Sequence, residues 1–328
     1  MSDASTPILQ VRDLEVVFRT GLDVIKAVNG VNLSVKKGET LAILGESGSG
    51  KSVTAAAIMR LLPSPPAEIL AGEVHLNGEE VFAMGAQQWR ARSGQAISMV
   101  FQDALMSLNP VRSIGHQVAE VFLAHNLCTS REAKQRAIAL LDLVGIPGAA
   151  ERAKDFPHQL SGGMRQRVMI AMAIALDPDV LIADEPTTAL DVTVQAQIMN
   201  LLSELKARTG MAMILITHDL GVAAESADRI AVMYAGKIAE AGTTRDVLTN
   251  PRHPYTLALL GSAPSAQSSK GKLQVIDGSP PDLARLPHGC AFAPRCHYAT
   301  RQCTEAAPPH QTLTAQRSVS CHHPVGTA

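Results

Sequence analysis

A glycine-rich segment carries the clearest chemical signal in the chain. It reads Gly45-Glu46-Ser47-Gly48-Ser49-Gly50-Lys51-Ser52 and matches the phosphate-binding P-loop pattern at every fixed position. Glycines let backbone N–H groups turn inward around phosphate oxygens, and the N-terminus of the following helix adds favourable partial charge. We expect Lys51 to reach the β- and γ-phosphates of a nucleotide and Ser52 to ligate Mg²⁺. A plain glycine-rich turn is the alternative, but the strand–loop–helix context favours the P-loop.

Two acidic residues follow another apolar run, at Val180–Ala183. We expect Asp184 to hold Mg²⁺ directly or through water, which is the Walker B role. Glu185 is then the natural base for an attacking water, because positioning and charge stabilisation make up most of phosphoryl transfer. An acidic pair alone is typical of a solvated loop, so this interpretation depends on the P-loop earlier in the chain.

Several apolar runs end in conspicuous polar residues, which predicts a sheet with a shared site. Runs this apolar suit strands covered on both faces, as in an α/β protein with a mainly parallel sheet. Ligands of open α/β sheets lie beyond the carboxyl ends of the strands, so the polar residues should meet at one edge. The runs and their polar successors are Thr40–Leu44 with the P-loop, Ile97–Phe101 with Gln102, Val180–Ala183 with Asp184, and Met211–Thr217 with His218.

The remaining patterns predict helices and short strands. Thr129 with Glu132 forms a capping box before a helix, and Asp191 should cap a helix that Gly210 ends. Ser161 precedes a long helical pattern that ends near Leu176. Short strands are predicted at Ile8–Val11, Leu14–Phe18, Val31–Val35 and Glu73–Leu76. Pro, Ser and Gly become more frequent after about residue 250, and Ser265–Ser269 is typical of a linker.

Bulk composition excludes several classes of protein. The 328 residues are 46 % apolar and 18 % charged, which indicates a globular chain. A formal net charge of −1 gives no electrostatic case for nucleic acid as the main partner. Met1–Pro7 lacks the pattern of a secretory signal, and the longest apolar runs reach about half of the ~20 residues that span a bilayer. We therefore expect a soluble, cytoplasmic chain whose membrane role comes through a partner.

Four of the five cysteines lie within the last 39 residues and suggest a metal site. Cys290, Cys296, Cys303 and Cys321 follow the spacing Cys-x5-Cys-x6-Cys-x17-Cys. Four thiolates can hold a [4Fe–4S] cluster or tetrahedral Zn²⁺, and zinc remains an alternative because histidines, which also ligate zinc, lie beside the cysteines in the sequence. Free structural thiols are the third interpretation.

A further motif narrows the choice among nucleotide-binding proteins. Leu160-Ser161-Gly162-Gly163-Met164-Arg165-Gln166-Arg167 sets Ser161 and two glycines at a helix start, about twenty residues before Asp184. At this point the chain resembles the ATP-binding cassette (ABC) family. Gln102 resembles the Q-loop glutamine of that family, and Ala189-Leu190-Asp191 resembles the D-loop. His218 resembles the switch histidine that contacts the γ-phosphate. Phe18 resembles the aromatic residue that stacks on adenine, with an apolar core role as its alternative.

The resemblance covers roughly residues 7–250 and implies an architecture. That architecture is a P-loop NTPase cassette with a mainly parallel sheet, an antiparallel β subdomain, and a helical subdomain at about 103–160 that docks on a permease. The cassette would occupy residues 1–255, and a loop-rich, cysteine-containing extension residues 256–328. The resemblance also implies a nucleotide-sandwich dimer. In it, ATP bound by one P-loop is closed from the other subunit by Ser161, Gly162, Gly163, Gln166 and Asp191.

The tail indicates a subclass. Pro251–Thr256 and Gly289-Cys290-Ala291-Phe292-Ala293-Pro294-Arg295-Cys296 resemble the extension of the D-type ATPases of dipeptide and oligopeptide permeases. This implies the motor of a bacterial importer at the cytoplasmic face of the plasma membrane. Its partners would be a second, paralogous ATPase, two permease subunits and, indirectly, a binding protein, with no nucleic acid. The resemblance also favours a [4Fe–4S] cluster over zinc.

Three alternatives stay open. Nickel or another small solute is a possible cargo within the same subclass. A soluble ABC protein acting outside transport is the second alternative, although two cassettes in one chain, a coiled-coil insertion and a basic tail are all missing from the sequence. A regulatory ATPase with slow turnover is the third, and the intact Lys51, Asp184, Glu185 and His218 argue against it.

Overall fold

The computed structural model describes residues 6–21, 23–188, 190–262 and 276–326. The predicted linker at Ser265–Ser269 and the first five residues lie outside these ranges. The chain divides into two compact units. The first unit comprises Met1–Leu9, Val35–Glu39 and Leu76–Ile214, and the second comprises Gln10–Ser34, Thr40–His75 and Leu215–Ala328.

The strands of the described residues are numbered in chain order. They are β1 (Leu9–Thr20), β2 (Asp23–Val35), β3 (Thr40–Leu44), β4 (Ala67–Leu76), β5 (Glu79–Glu80), β6 (Ile97–Val100), β7 (Val180–Asp184), β8 (Ala212–Ile216), β9 (Arg229–Tyr234), β10 (Lys237–Thr243), β11 (His310–Thr314) and β12 (Arg317–Ser320).

The α-helices are numbered in the same way, and short 3₁₀ turns lie at Pro157–Gln159 and Ala293–Arg295. The helices are α1 (Lys51–Ile58), α2 (Ala86–Arg92), α3 (Ala104–Ser107), α4 (Ile114–Ala124), α5 (Ser130–Leu143), α6 (Ala149–Arg152), α7 (Gly162–Ile174), α8 (Val192–Thr209), α9 (Leu220–Ser226), α10 (Thr244–Thr249), α11 (Pro254–Ser262) and α12 (Arg301–Glu305). No helix among the described residues is long and apolar enough to cross a bilayer.

The sheet of the first unit is built from buried strands, as the apolar runs predicted. Strand β7 lies beside β6, and every residue of β7 is buried. The two strands run parallel, with Ile97 opposite Val180 and Val100 opposite Ala183. Because parallel strands end at the same edge, the residues that follow Val100 and Ala183 are brought together.

The second unit holds a mixed sheet in the order β11-β12-β10-β9-β3. Strand β3 is wholly buried and pairs in parallel with β9. The pairs β9–β10, β10–β12 and β11–β12 are antiparallel. Strands β11 and β12 belong to residues 276–326, which we call the C-terminal extension. The extension therefore adds a hairpin to the same sheet that carries the P-loop.

The predicted helix caps are present in the first unit. The Thr129 side chain accepts a hydrogen bond from the Glu132 N–H, and the Glu132 carboxylate accepts one from the Thr129 N–H, which completes the capping box of α5. Asp191 caps α8, which ends at Gly210 with a left-handed φ of 70°. The stretch predicted as a helical subdomain, residues 103–160, contains α3 to α6.

Strand β1 differs from the prediction of two short strands at residues 8–11 and 14–18. One strand runs through both, with Asp13 in the left-handed region at φ 44°. The Asp13 backbone N–H and carboxylate both bond the Asn32 side chain, which holds this local distortion. A Cβ on Gly72 would lie 2.5 Å from the Leu14 Cα, so the backbones approach closely there. The polar Arg12-Asp13 pair marks a distortion within a strand rather than its end.

Candidate nucleotide-binding site

The P-loop connects β3 to α1 in the second unit, as predicted. The Lys51 side chain is buried and turns back over the loop. Its Nζ donates to the carbonyl oxygens of Gly45 at 2.8 Å and Glu46 at 3.0 Å. The Ser49 N–H donates to the Glu46 carbonyl at 3.2 Å, and the Gly236 N–H donates to the Ser49 carbonyl at 2.9 Å. These bonds close the loop around the lysine ammonium.

Two glycines of the loop are required by space as well as by backbone conformation. Gly45 has φ 154°, and a Cβ there would lie 2.2 Å from the Met233 carbonyl oxygen. Gly50 has φ 103°, and a Cβ there would lie 2.3 Å from the Ala27 carbonyl oxygen. Any larger residue at either position would force the loop away from β9 or β2.

The serines and the remaining glycine of the loop differ in exposure. Ser47, Gly48 and Ser52 are exposed, whereas Ser49 is buried. The Ser49 Oγ has no hydrogen-bond partner among the described residues. A buried hydroxyl without a partner costs free energy, and a bound oxyanion is one way to satisfy it. This orphaned group, the loop glycines and the Lys51 ammonium together fit a nucleotide phosphate.

Glu46, the second residue of the loop, is held by the C-terminal half of the second unit. Its backbone N–H donates to the Tyr255 Oη at 2.9 Å. Its carboxylate accepts two hydrogen bonds from the Arg295 guanidinium, at 2.7 and 2.9 Å. Burial raises the pKa of Tyr255, so its hydroxyl stays protonated. In the sequence both residues stand out only within the motifs of the tail, because no spacing rule links them to the P-loop.

The first unit brings Gln102, Glu185 and Thr188 together at the carboxyl ends of β6 and β7. The Gln102 Nε2 donates to the Glu185 Oε2 at 2.8 Å, and the Thr188 Oγ1 donates to the same oxygen at 2.8 Å. Glu185 has a left-handed φ of 45°, which is uncommon for a residue with a side chain. Asp184, the last residue of β7, is buried. Thr188 was not among the predicted site residues, although its spacing of three from Glu185 suits a local hydrogen bond.

The signature residues begin α7 of the first unit. The Ser161 Oγ accepts a hydrogen bond from the Met164 N–H at 3.3 Å and caps the helix. A Cβ on Gly163 would lie 2.6 Å from the Val194 Cγ1, so α7 and α8 begin in close contact. Ser161, Gly162 and Asp191 are exposed, and their role at a second subunit's site stays a prediction. Gln166 differs because its side chain is buried.

His218 and Phe18 lie in the second unit. His218 is exposed and follows Thr217 directly after β8. The Thr217 Oγ1 accepts a hydrogen bond from the Asp219 N–H at 3.0 Å, and Asp219 caps α9. Phe18 is half-buried on β1. The roles of His218 at the γ-phosphate and of Phe18 at adenine stay predictions.

Comparison with known proteins decides the family. Residues 28–188 match the family model "ABC transporter", and residues 239–303 match "Oligopeptide/dipeptide transporter, C-terminal region". The chain is 50 % identical to the oligopeptide transport ATP-binding protein OppD of Bacillus subtilis, over 93 % of this chain and 85 % of that protein. The chain belongs to the ABC transporter family.

Two other relatives are similar over nearly their whole length. The dipeptide transport ATP-binding protein DppD of Bacillus subtilis is 47 % identical, over 96 % of this chain and 94 % of that protein. The OppD protein of Salmonella typhimurium is 47 % identical, over 97 % of this chain and 94 % of that protein. The predicted resemblance to the ATPase subunits of peptide permeases is confirmed.

Solved ABC structures share the cassette fold. The dimeric cassette MJ0796, in a post-hydrolysis state bound to ADP and Pi, has a TM-score of 0.65 and 29 % identity. It covers 72 % of this chain and 99 % of its own. CbiO1 of Clostridium perfringens has a TM-score of 0.62 and 29 % identity, over 74 % of this chain and 91 % of its own. The predicted ABC cassette fold is confirmed, and this ABC chain is an ATPase.

The predicted iron–sulfur or zinc site of the ABC extension is wrong. One small pocket is lined by the four cysteines Cys290, Cys296, Cys303 and Cys321, and none of the four forms a disulfide bond. Within the described ranges, no three Cys, His, Asp or Glu side chains are arranged to hold a metal ion. Burial raises the pKa of the Cys290 and Cys296 thiols and raises that of Cys321 to about 11. Metal ligation needs the thiolate, which this environment disfavours.

Proposed function

We propose that this chain is the ATP-hydrolysing motor of a bacterial ABC importer that takes up dipeptides or oligopeptides. The similarity that carries the proposal extends over the C-terminal extension as well as the cassette. Relatives that are 50 % and 47 % identical to the chain are named for oligopeptide and dipeptide transport, and residues 239–303 match the family model of the C-terminal region of such transporters. The substrate itself is expected to contact the permease and the binding protein rather than this chain.

ATP is expected to bind by its phosphates to the loop Gly45–Ser52. Lys51 would pair with the β- and γ-phosphates, and the loop N–H groups would donate to phosphate oxygens. Phe18 would stack on the adenine. Mg²⁺ prefers oxygen ligands, and the Ser52 hydroxyl, the Gln102 side-chain carbonyl and the Asp184 carboxylate are donors of this type. Bound Mg²⁺ would neutralise charge that develops on the phosphates.

Hydrolysis is assigned to the Glu185 carboxylate as the base that orients the attacking water. Two hydrogen bonds from Gln102 and Thr188 fix one oxygen of that carboxylate, which supports a positioned rather than a mobile base. His218 would contact the γ-phosphate. The partner cassette would close each ATP with its own signature and D-loop, in this chain Ser161, Gly162, Gly163, Gln166 and Asp191.

The proposed assembly contains a second, paralogous ATPase subunit and two permease subunits that span the plasma membrane. This chain would lie at the cytoplasmic face of that membrane. The Q-loop around Gln102 and the helical region at 103–160 would contact the permease, so that closure of the ATPase dimer is transmitted to the transport path. An extracytoplasmic binding protein would deliver the peptide on the other side. Nucleic acid has no place in this assembly.

Affinity purification of the tagged chain from gently solubilised membranes tests the assembly. Mass spectrometry should find two multi-span permease subunits and a second ATPase. Recovery without permease subunits, or with ribosomal or DNA-repair proteins, would overturn the importer and leave only the ATPase. In the purified complex reconstituted with its binding protein, peptides should stimulate ATP hydrolysis. Stimulation by Ni²⁺ and not by peptides would replace the proposed cargo.

A further inference from the structure

We propose that Arg295 of the C-terminal extension is a positioning residue of the nucleotide site, which neutralises Glu46 and holds the P-loop ready for ATP. The proposal rests on the proposed function of that loop. It gives the extension a role in the ATPase reaction of its own subunit, through an ion pair between Arg295 of the extension and Glu46 of the P-loop.

The ion pair is bidentate, because two guanidinium nitrogens bond the two oxygens of one carboxylate. The Arg295 Nη1 donates to the Glu46 Oε2 at 2.7 Å, and the Nη2 donates to the Oε1 at 2.9 Å. Paired hydrogen bonds of this kind give direction as well as energy, and a lysine ammonium cannot reproduce them. Only 5 % of the Arg295 side chain and 24 % of the Glu46 side chain are exposed, so solvent screens the pair weakly.

The guanidinium is itself fixed by other residues of the second unit. Its Nε donates to the Asp277 carbonyl oxygen at 2.9 Å, and its Nη1 also donates to the Tyr234 Oη at 3.2 Å. The guanidinium carbon lies 5.9 Å from the centre of the Tyr234 ring and 6.0 Å from that of Phe292. Cation–π contacts add attraction at these distances. Arg295 is thus oriented before it meets Glu46.

Glu46 transmits this orientation to the loop. Its carbonyl oxygen accepts hydrogen bonds from the Lys51 Nζ and the Ser49 N–H, and its own N–H donates to Tyr255. The side chain held by Arg295 therefore belongs to the residue whose backbone positions the phosphate-binding lysine. A shift of Glu46 would move the carbonyl that Lys51 contacts.

The negative charge of Glu46 also affects nucleotide binding. A carboxylate inside a phosphate-binding loop repels a polyanionic nucleotide, and it does so more strongly where solvent is partly excluded. Arg295 cancels that charge without occupying the loop. Removal of Arg295 should therefore weaken ATP binding through an uncompensated negative charge, and removal of the Glu46 charge should relieve the effect.

Equilibrium binding of a fluorescent ATP analogue and steady-state ATP hydrolysis by the purified full chain test this. Arg295→Met should weaken binding about ten-fold or more and raise the KM for ATP more than it lowers kcat. The double variant Arg295→Met/Glu46→Gln should bind the analogue several-fold more tightly than Arg295→Met. If Arg295 acted only by holding Glu46 in place through its hydrogen bonds, the double variant would bind no more tightly than Arg295→Met. The control Arg301→Met removes an exposed ion pair with Glu305 and should bind as the wild type does.

The outcomes separate this proposal from the function on which it rests. A wild-type chain that binds no ATP would contradict the proposed function. A wild type that binds ATP, with Arg295→Met folded and binding equally well, would overturn the role of Arg295. Weak binding by Arg295→Met that the double variant fails to relieve would overturn the charge argument. If Arg295→Met does not fold, Arg295→Lys is the variant to measure. It keeps the positive charge but loses the bidentate hydrogen bonds, so it should bind the ATP analogue less tightly than the wild type, and equal binding would overturn the role of Arg295.

Discussion

The Gln102 side-chain amide donates a hydrogen bond to the Glu185 carboxylate across 2.8 Å, although 83 residues separate them in the chain. Parallel pairing of β6 with β7 places them together, because Val100 lies opposite Ala183 and each polar residue follows two positions later. A residue implied to contact the permease is thus bonded directly to the proposed catalytic base. Movement of the Q-loop would change the orientation of the Glu185 carboxylate.

Glu185→Gln is expected to lower ATP turnover by about 10²-fold or more, which is the range for loss of a positioned base. ATP binding should persist, because the P-loop is unchanged. Steady-state hydrolysis and analogue binding measure the two effects separately. Glu204→Gln is a matched control, since Glu204 is an exposed residue on α8 of the same unit. Normal hydrolysis by Glu185→Gln would contradict the assignment of the base.

Thr188→Val should lower kcat about ten-fold, because it removes the hydrogen bond that the Thr188 hydroxyl donates to the Glu185 Oε2. Thr188→Ser keeps the hydroxyl and should retain most of the activity. The KM for ATP should change little in either variant, since Thr188 orients the base rather than the nucleotide. Equal kcat values for the valine and serine variants would show that the hydroxyl has no part in orienting Glu185.

Local patterns explain which parts of the fold could be predicted. Strand β3 begins and ends at the predicted residues, because a strand buried on both faces is a continuous apolar run. The caps of α5, α7 and α8 depend on residues three positions apart and are equally visible. Strand β1 was predicted as two strands because Arg12-Asp13 interrupts its apolar residues, whereas the folded strand continues through this pair beside β2.

The contacts of the site that join residues far apart in the chain could not be predicted from the sequence. Arg295 and Glu46 are 249 residues apart, so no spacing rule links them. The cysteine prediction was wrong for a related reason. Spacing showed that four thiols occur within a short stretch, whereas ligation depends on their mutual geometry and ionisation in the folded chain, where burial favours the thiol.

The buried pair of Glu240 and Arg317 should dominate the attachment of the extension to the sheet. The Glu240 carboxylate is fully buried on β10 and accepts hydrogen bonds from the Arg252 and His253 N–H groups and from the Arg317 guanidinium. Arg317→Met should lower the free energy of unfolding by about 3–5 kcal/mol, because it leaves a buried carboxylate without its cation. Urea unfolding measures the loss.

The double variant Glu240→Gln/Arg317→Met provides the control for this pair. It removes both charges, so it should be more stable than Arg317→Met alone. A coupling energy near zero in the double-mutant cycle would show that packing rather than charge holds β12 against β10.

His253 should make the folded chain sensitive to acid. Burial lowers its pKa from 6.5 to about 4, and its Nδ1 accepts a hydrogen bond from the Tyr255 N–H at 3.0 Å, which requires an unprotonated nitrogen. The unfolded chain takes up this proton below about pH 6.5, whereas the folded chain does so only near pH 4. Stability should therefore fall as the pH decreases through that interval, by at most about 3 kcal/mol.

Urea unfolding between pH 7 and about pH 4 tests whether stability falls on acidification and whether His253 causes the fall. This interval includes the pKa of histidine in the unfolded chain and the lowered pKa of His253 in the folded chain. His253→Asn keeps an acceptor for the Tyr255 N–H but cannot titrate, so the pH dependence of its unfolding free energy should be shallower than that of the wild type. His297→Asn is the matched control, because the His297 side chain is 82 % exposed whereas His253 is buried. If His253→Asn loses stability as steeply as the wild type over this interval, other groups carry the acid sensitivity and His253 is protonated without cost.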